Sequence, residues 1–257
     1  MDFPVRVDKL SFSYGKEEVL KDISLSFQKG KFYSIIGPNG SGKTTLLKNI
    51  SKMLSISKKT VFLNEQDAVK LSNKDISRSL AVVPQNISIE YEFTAYDIVI
   101  MGRTPFKKRF EDYNKKDKEI AEKSMKLTST WELKDKLITA LSGGEQQRVI
   151  AARALCQETD IILLDEPTSH LDIQHQLAFL NIFKSLKKDI TVIAVMHDLN
   201  LASLYSDEII LLERGRIIEQ GKPEKVITRE NIKKTYNIDV DIIRNTSNGA
   251  PYVMPVV

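Results

Sequence analysis

Long hydrophobic runs are missing from this chain of 257 residues. Its longest unbroken aliphatic stretch, Val192 to Met196, is five residues, far below the ~18 that a membrane-crossing helix needs. Cysteine is almost absent too: Cys156 stands alone and cannot close an internal disulfide. The first residues, Met1-Asp2-Phe3-Pro4-Val5-Arg6, carry neither the basic start nor the apolar stretch of a secretory signal. These absences point together to the reducing cytoplasm. An excess of one charge is also lacking. The 38 basic and 34 acidic residues leave +4, too small and too dispersed to make nucleic acid the main partner. No internal repeat or low-complexity linker interrupts the chain. What remains, 28% charged and 42% hydrophobic residues, is the balance of a soluble globular protein. The length suits one large domain, or a main domain with a small appendage.

Strands and helices alternate along the chain. Arg6 to Tyr14 and Ile23 to Phe27 read as short strands of period two, separated by Gly15 and a charged turn. Lys31 to Ile36 reads as a buried strand running into a glycine-rich loop and a helix from about Thr44 to Ser51. The charge-rich stretch from Lys107 to Asp135 has helical spacing, with Ile120, Ala121, Ser124, Met125 and Thr128 on one face. Ile161–Leu164, Thr191–Met196 and Glu208–Leu212 are short aliphatic runs with helical stretches between them, the pattern of a parallel sheet covered on both faces. The tail after Gly221 predicts a helix over Arg229 to Tyr236, a turn at Asn245 to Gly249 and a short terminal strand. Cys156 and Trp131 lie in apolar helical contexts and read as packing.

Three constellations carry chemistry. Gly37-Pro38-Asn39-Gly40-Ser41-Gly42-Lys43-Thr44 matches the P-loop pattern G-x-x-x-x-G-K-[ST]. Its glycines let successive N–H groups curl around a polyphosphate, and the helix that follows adds the positive end of its dipole. Lys43 can reach the β and γ phosphates, and the Thr44 hydroxyl can ligate Mg²⁺. A chance match in a chain of this length is on the order of one in a hundred. The strand before the loop and the helix after it reduce that chance further. The loop predicts a nucleoside triphosphate site.

The second constellation, Ile161 to Pro167, ends a buried strand with Asp165 and Glu166 at the sheet edge where ligands of doubly wound folds sit. A strand alternates sides, so the two carboxylates cannot share one task. One can hold Mg²⁺ through its waters while the other orients or deprotonates a water facing the γ phosphate. Alone, such a pair is more often a solvated turn; beside a P-loop the functional reading prevails. In the third, Ser142-Gly143-Gly144-Glu145 opens a helix as a second anion cradle. A plain S-x-x-E capping box accounts for it structurally. The box does not explain why a chain with one P-loop carries a second phosphate cradle. One ATP held between two chains does.

In this order, P-loop, Leu141-Ser-Gly-Gly-Glu145 and the Asp165-Glu166 strand, the chain resembles the ATP-binding subunits of ATP-binding cassette (ABC) transporters over nearly its whole length. The resemblance implies a P-loop NTPase of the ABC type: an α/β fold with a mainly parallel sheet, an antiparallel β subdomain and a helical subdomain at about 86–160. The ATPase domain would span 1–221 and a short extension 222–257. Tyr14 would stack on adenine, residues 37 to Thr45 would wrap the phosphates, and Gln85 would contact Mg²⁺ and report to the membrane subunit. Ser169-His170-Leu171-Asp172 would meet the opposite P-loop across a dimer, and His197 would contact the γ phosphate. Taken singly, a lone tyrosine or histidine is usually packing or a satisfied polar group; the shared order and spacing lift them.

Thr94 to Pro105 and Thr168 to Gln176 further resemble the importer ATPases for iron-siderophore, haem and cobalamin complexes. This implies ATP and Mg²⁺ as ligands, a homodimer, polytopic permease subunits, an extracytoplasmic binding protein acting indirectly, and a peripheral place on the cytoplasmic face of the membrane. One departure from the family pattern is the stretch Lys58 to Gln66, where a glycine-bearing strand turn is replaced. Among rivals, a chromosome-maintenance ATPase needs a long heptad insertion for which Leu46 to Ala140 has no room. A soluble ABC-type ATPase with a non-transport partner fits the length but not the Gly102-Arg103-x-Pro105 segment. A stand-alone P-loop kinase leaves Ser142 to Glu145 and His197 without roles.

Overall fold

Apolar residues on both faces of the central strands dictate the architecture. The computed structural model describes residues 3–85, 92–169, 171–186, 190–246 and 248–256. In chain order the elements are β1 (Val5–Tyr14), β2 (Glu17–Phe27), β3 (Phe32–Ile36), α1 (Lys43–Ile50), β4 (Val61–Leu63), β5 (Gln66–Asp67), α2 (Asn73–Ser79), β6 (Leu80–Val83) and α3 (Ala95–Ile100). A 3₁₀ turn (Met101–Phe106) leads to α4 (Lys115–Leu127), α5 (Gly143–Cys156), β7 (Ile161–Asp165), α6 (Ile173–Leu186), β8 (Thr191–Val195), α7 (Leu199–Tyr205), β9 (Glu208–Glu213) and β10 (Arg216–Gly221). The chain ends in α8 (Pro223–Val226), α9 (Arg229–Tyr236), β11 (Val240–Arg244) and β12 (Pro251–Pro255).

The main sheet has the order β10-β9-β3-β8-β7-β6. Its strands run parallel except β10, which returns antiparallel on β9 at the edge. Alternation splits each central strand between two cores. Tyr33, Ile35, Ile161, Leu163, Ile193 and Val195 join Leu46, Leu47 and Ile50 of α1 and the inner face of the antiparallel sheet β2-β1-β4-β5. Phe32, Ile36, Ile162, Leu164, Val192 and Ala194 face the other way, onto Phe179, Leu180 and Phe183 of α6 and the packed helices α3, α4 and α5. Helix α1 therefore lies between the two sheets, against β2, β7 and β8, which fixes the start of the helix that follows the P-loop.

Several sequence expectations are redrawn. The helix expected over Lys107 to Asp135 is confined to α4. Phe110 has a left-handed backbone (φ 64°), the Asn114–Asp117 capping box starts the helix at Lys115, and Ser129 (φ 54°) turns the chain out of it. The expected inner face is buried throughout. Strand β2 begins at Glu17 rather than Ile23, because bulges with positive φ at Lys9 and Asp22 let a charged stretch stay paired with β1. The departure at Lys58–Gln66 is a two-residue hairpin: Asn64 (φ 47°) and Glu65 (φ 62°) take the left-handed conformations that glycine usually supplies, and Leu63 pairs with Gln66. At the tail, α9 matches the expected helix, and the 245–249 turn joins β11 to β12 as a hairpin with Ile242 opposite Val253. Ser247 lies outside the described residues.

Candidate functional site

The P-loop leaves β3 at Gly37 and reaches α1 with three glycines in conformations closed to other residues. At Gly37 (φ 151°) a Cβ would lie 2.1 Å from the Leu212 carbonyl oxygen, and at Gly42 (φ 101°) 2.8 Å from a Leu20 methyl. Gly40 meets nothing but needs its φ of 76°. Helix α1 starts at Gly42 with no side-chain cap and no acidic residue in its first turn, whereas α2, α3, α4 and α5 each close their N-terminus with a capping box. The first-turn N–H groups of α1 are thus left for an external anion. The buried Ser41 hydroxyl has no hydrogen-bond partner among the described residues. Residues 39–45, Val19 and Glu166 line a cleft of about 270 Å³.

Lys43 is buried and folds back on its own loop, donating to the Gly37 and Pro38 carbonyls at 2.9 and 3.0 Å. Burial pulls its ammonium below the usual lysine range, against the opposing pull of Glu166 and Asp165. Both carboxylates therefore lie close enough to act on it. The Thr44 hydroxyl donates to Asp165 Oδ1 at 2.9 Å. Burial pushes the Asp165 carboxyl above its usual range; the Thr44 bond opposes this and the Glu166 charge adds to it.

Glu166 departs from strand geometry with a left-handed backbone (φ 47°), a costly conformation for a residue with a Cβ. The reversal carries its carboxylate away from the direction that alternation would give and into the P-loop cleft. There Gln85 Nε2 donates to one carboxylate oxygen, and His197 Nε2 lies 2.7 Å from the other. His197 follows β8 and is half-exposed, while Glu166 keeps only 12% of its side chain accessible. One carboxylate is thus held between an amide and an imidazole at the wall of the phosphate cleft.

The remaining predicted residues form a second group. Ser142 and Glu145 make a complete capping box: the Ser142 hydroxyl and N–H donate to Glu145 Oε2 at 2.7 and 2.8 Å, and these bonds hold the Glu145 carboxyl below its usual range. Gly143 has open space where a Cβ would go, and at Gly144 one would touch Leu171 at 3.4 Å. The helix start therefore lies beside the 168–175 loop. Asp172 there accepts the His175 N–H at 2.9 Å and meets the imidazole Nδ1 at 2.8 Å, and the His175 bonds pull its carboxyl down. His170 lies outside the described residues. This group does not line the P-loop cleft. Tyr14, at the end of β1, is half-exposed and meets Phe12 edge-on at 5.0 Å.

Sequence reasoning missed Val19 as a wall of the cleft. The available signal was indirect: glycines at 42 and 215, each of which allows close approach to the Val19 carbonyl. A larger groove of about 870 Å³ lies away from the phosphate cleft, lined by Lys52, Pro84, Met101, Gly102, Pro105 and Arg153 among others. Cys156 is buried with its thiol pushed up to about 12, and Trp131 packs against the core, in keeping with packing roles.

The raised Asp165 pKa has a checkable consequence. A carboxyl shifted upward in the folded state costs nothing below the unfolded value near 4, destabilises the fold increasingly as pH rises from there to the raised folded pKa, and carries its full cost above it. Asp165→Asn, which keeps an acceptor for Thr44, should therefore raise the melting temperature of the nucleotide-free protein by a few degrees at about pH 8. Calorimetry near pH 4 should find the advantage gone.

Comparison with known proteins fits this geometry. The ABC transporter family pattern matches residues 20–169. The ferric enterobactin transport ATP-binding protein FepC of Escherichia coli (strain K12) is 36% identical over 254 residues, covering 98% of this chain and 94% of FepC. The iron(3+)-hydroxamate import ATP-binding protein FhuC of Bacillus subtilis (strain 168) is 36% identical over 246 residues, covering 95% and 91%. Among solved structures, a dimeric post-hydrolysis state of the ATP-binding cassette MJ0796 bound to ADP and Pi superposes with a TM-score of 0.74 at 28% identity, covering 85% of this chain and 98% of that one. An uncapped P-loop helix, an Asp-Glu strand end folded into its cleft and a full-length match to transport ATPases agree on one assignment: this chain belongs to the ABC transporter family and is an ATPase of the ABC P-loop fold.

Proposed function

We propose that this chain is the ATP-hydrolysing subunit of an importer for iron-siderophore, haem or cobalamin-type complexes, working as a homodimer beneath a polytopic permease on the cytoplasmic face of the membrane. An extracytoplasmic binding protein would deliver cargo to that permease. Residues 1–221 form the ATPase unit, with a helical subdomain at about 86–160, and 222–257 the extension. The observation that carries the catalytic part is the Glu166 carboxylate, turned by a left-handed backbone into the P-loop cleft and held by Gln85 and His197.

Tyr14 offers an exposed ring to adenine. The phosphates lie against the first-turn N–H groups of α1, and the Lys43 ammonium exchanges two backbone carbonyls for phosphate oxygens, recovering a charge-assisted contact in a buried place. Thr44, Asp165 and Gln85 supply the oxygen donors that suit Mg²⁺, a hard cation that keeps several waters. When bound, Mg²⁺ neutralises charge on the phosphate oxygens. No group of three or more His, Cys, Asp or Glu among the described residues makes a dedicated metal cage, in keeping with a cation held partly by its substrate. Glu166 orients the attacking water and accepts its proton, and His197 steadies the γ phosphate.

The separation of the Ser142–Gly144 and Asp172 group from the cleft supports the two-chain reading. In a head-to-tail pair, Ser142, Gly143 and Gly144 of one chain cap the γ phosphate bound by the other. The 169–172 loop, including Asp172, meets the facing P-loop. Hydrolysis divides the anion that joins the two cradles, and the pair opens.

The larger groove supports the permease partner. It is walled by Pro84, next to Gln85, and by the 101–106 turn, and Arg103 braces that turn against Asp117 of α4 and the Cys156 carbonyl at the end of α5. A helix seated there would feel both Gln85 and the helical subdomain. No described helix is long and apolar enough to cross a membrane, so the spans would come from the partner. The cargo class rests on the relatives, FepC and FhuC above all. Purification from detergent-solubilised membranes tests the reading: a polytopic protein is expected to come down with this chain, and recovery with soluble partners alone would favour a non-transport ATPase.

A further inference from the structure

The C-terminal hairpin is fastened to α7, the helix that begins two residues after His197. Helix α7 begins directly after His197-Asp198, and Asp198 caps it by accepting the N–H groups of Asn200 and Leu201 at 2.7 and 2.9 Å. A rotation of α7 would therefore move His197 against Glu166. Two side chains of α7 reach outward to β12. The Asn200 amide makes a reciprocal pair with the Val253 backbone, accepting its N–H at 2.7 Å and donating to its carbonyl at 3.3 Å. One turn further on, the buried Ser203 hydroxyl donates to the Pro251 carbonyl at 2.6 Å. Asn200 thus reads β12 as a neighbouring strand would, through the N–H and carbonyl of one residue, Val253. Val253 itself is buried in the core that β8 and α7 share.

We propose that the extension is a positioning brace for hydrolysis, with Asn200 and Ser203 as positioning residues that hold α7, and through it His197, against Glu166. Neither side chain lines the phosphate cleft. The Asn200 and Ser203 bonds act on the chemical step rather than on nucleotide binding, because they join α7 to β12 and touch no residue of the phosphate-binding loop. Placement matters steeply here, since a displacement of about 1 Å can cost up to ~10² in rate. A merely structural role would predict something different: lower stability and no dependence on His197.

The inference rests on the assignment of His197 to the γ phosphate, and the test separates the two. Steady-state ATPase and nucleotide affinity are measured on the full chain with ATP and Mg²⁺ for His197→Ala, Asn200→Ala and the double variant, with Ser203→Ala as a milder probe that removes one hydroxyl. Asn200→Ala is expected to lower kcat by about tenfold with KM for ATP within about twofold, and Ser203→Ala by roughly threefold. In the His197→Ala background Asn200→Ala should not lower kcat further, the signature of a residue acting through another. An undiminished kcat in Asn200→Ala, or the same fold-loss with and without His197, overturns the brace. If His197→Ala alone leaves kcat intact, the assignment of His197 falls instead. Ser203→Ala keeps the test open should Asn200→Ala fold poorly.

Discussion

Glu166→Gln is expected to lower kcat by at least ~10² and up to ~10⁴, while ATP affinity stays within a few-fold of the native value. The substitution keeps shape and backbone preference, so the left-handed turn at φ 47° is no more strained than before. It removes the anion. Glutamine can still accept from Gln85 with its carbonyl oxygen and turn its amide N–H to the His197 ring, so both contacts can persist while the charge is lost. It cannot take a proton from water. Phosphate-binding elements are untouched, because the Gly37–Thr45 loop and the Thr44–Asp165 bond do not depend on Glu166. Rapid-quench measurement of the chemical step beside equilibrium titration of ATP checks both halves. Retained turnover would remove Glu166 from the role of general base.

Lys43→Ala should do the reverse. Hydrogen bonds from a charged donor contribute about 1.5–3 kcal/mol each, so losing the ammonium is expected to weaken ATP binding by roughly 10²-fold. The nucleotide-free fold gains and loses together: a lysine whose burial lowers its pKa is no longer desolvated, and the Gly37 and Pro38 carbonyls lose their donor. Its melting temperature should therefore change little. Millimolar ATP that raises the melting temperature of the native protein should leave that of Lys43→Ala nearly unmoved, since stabilisation by a ligand follows its affinity. An equal ATP-induced shift in both proteins would show that Lys43 does not hold phosphate.

The contrast between these two residues marks what the sequence made legible. Lys43 sits in a contiguous pattern whose chemistry is local: glycines that curl the loop, a helix that follows, a lysine at its start. Asp165 and Glu166 were readable because a run of four aliphatics announces a buried strand and two carboxylates end it. The α9 helix and the 245–249 turn had local signals of the same kind. What local pattern could not give was pairing at a distance. Strand β6 is four residues long and gains its identity only from β7, and β10 is half-buried with weak alternation, so its antiparallel return on β9 left little trace. The helix over 107–135 was overdrawn because charge spacing continues past Asn114 and Ser129, where capping and positive φ end it. Val19 left only the indirect trace of glycines 42 and 215 against its carbonyl. Asn200 was invisible for a related reason: its partners are main-chain groups of Val253, remote in sequence, which leave no mark on residue type.

The central claim is that one chain holds half of each catalytic site, with Ser142–Gly144 and Asp172 serving a cleft on another copy. Sedimentation of Glu166→Gln tests this most directly, since slow turnover preserves the ATP-bound state. The account predicts a species of twice the 29.2 kDa chain mass when ATP and Mg²⁺ are present, and single chains when they are withheld. Single chains at saturating ATP and Mg²⁺ would contradict it.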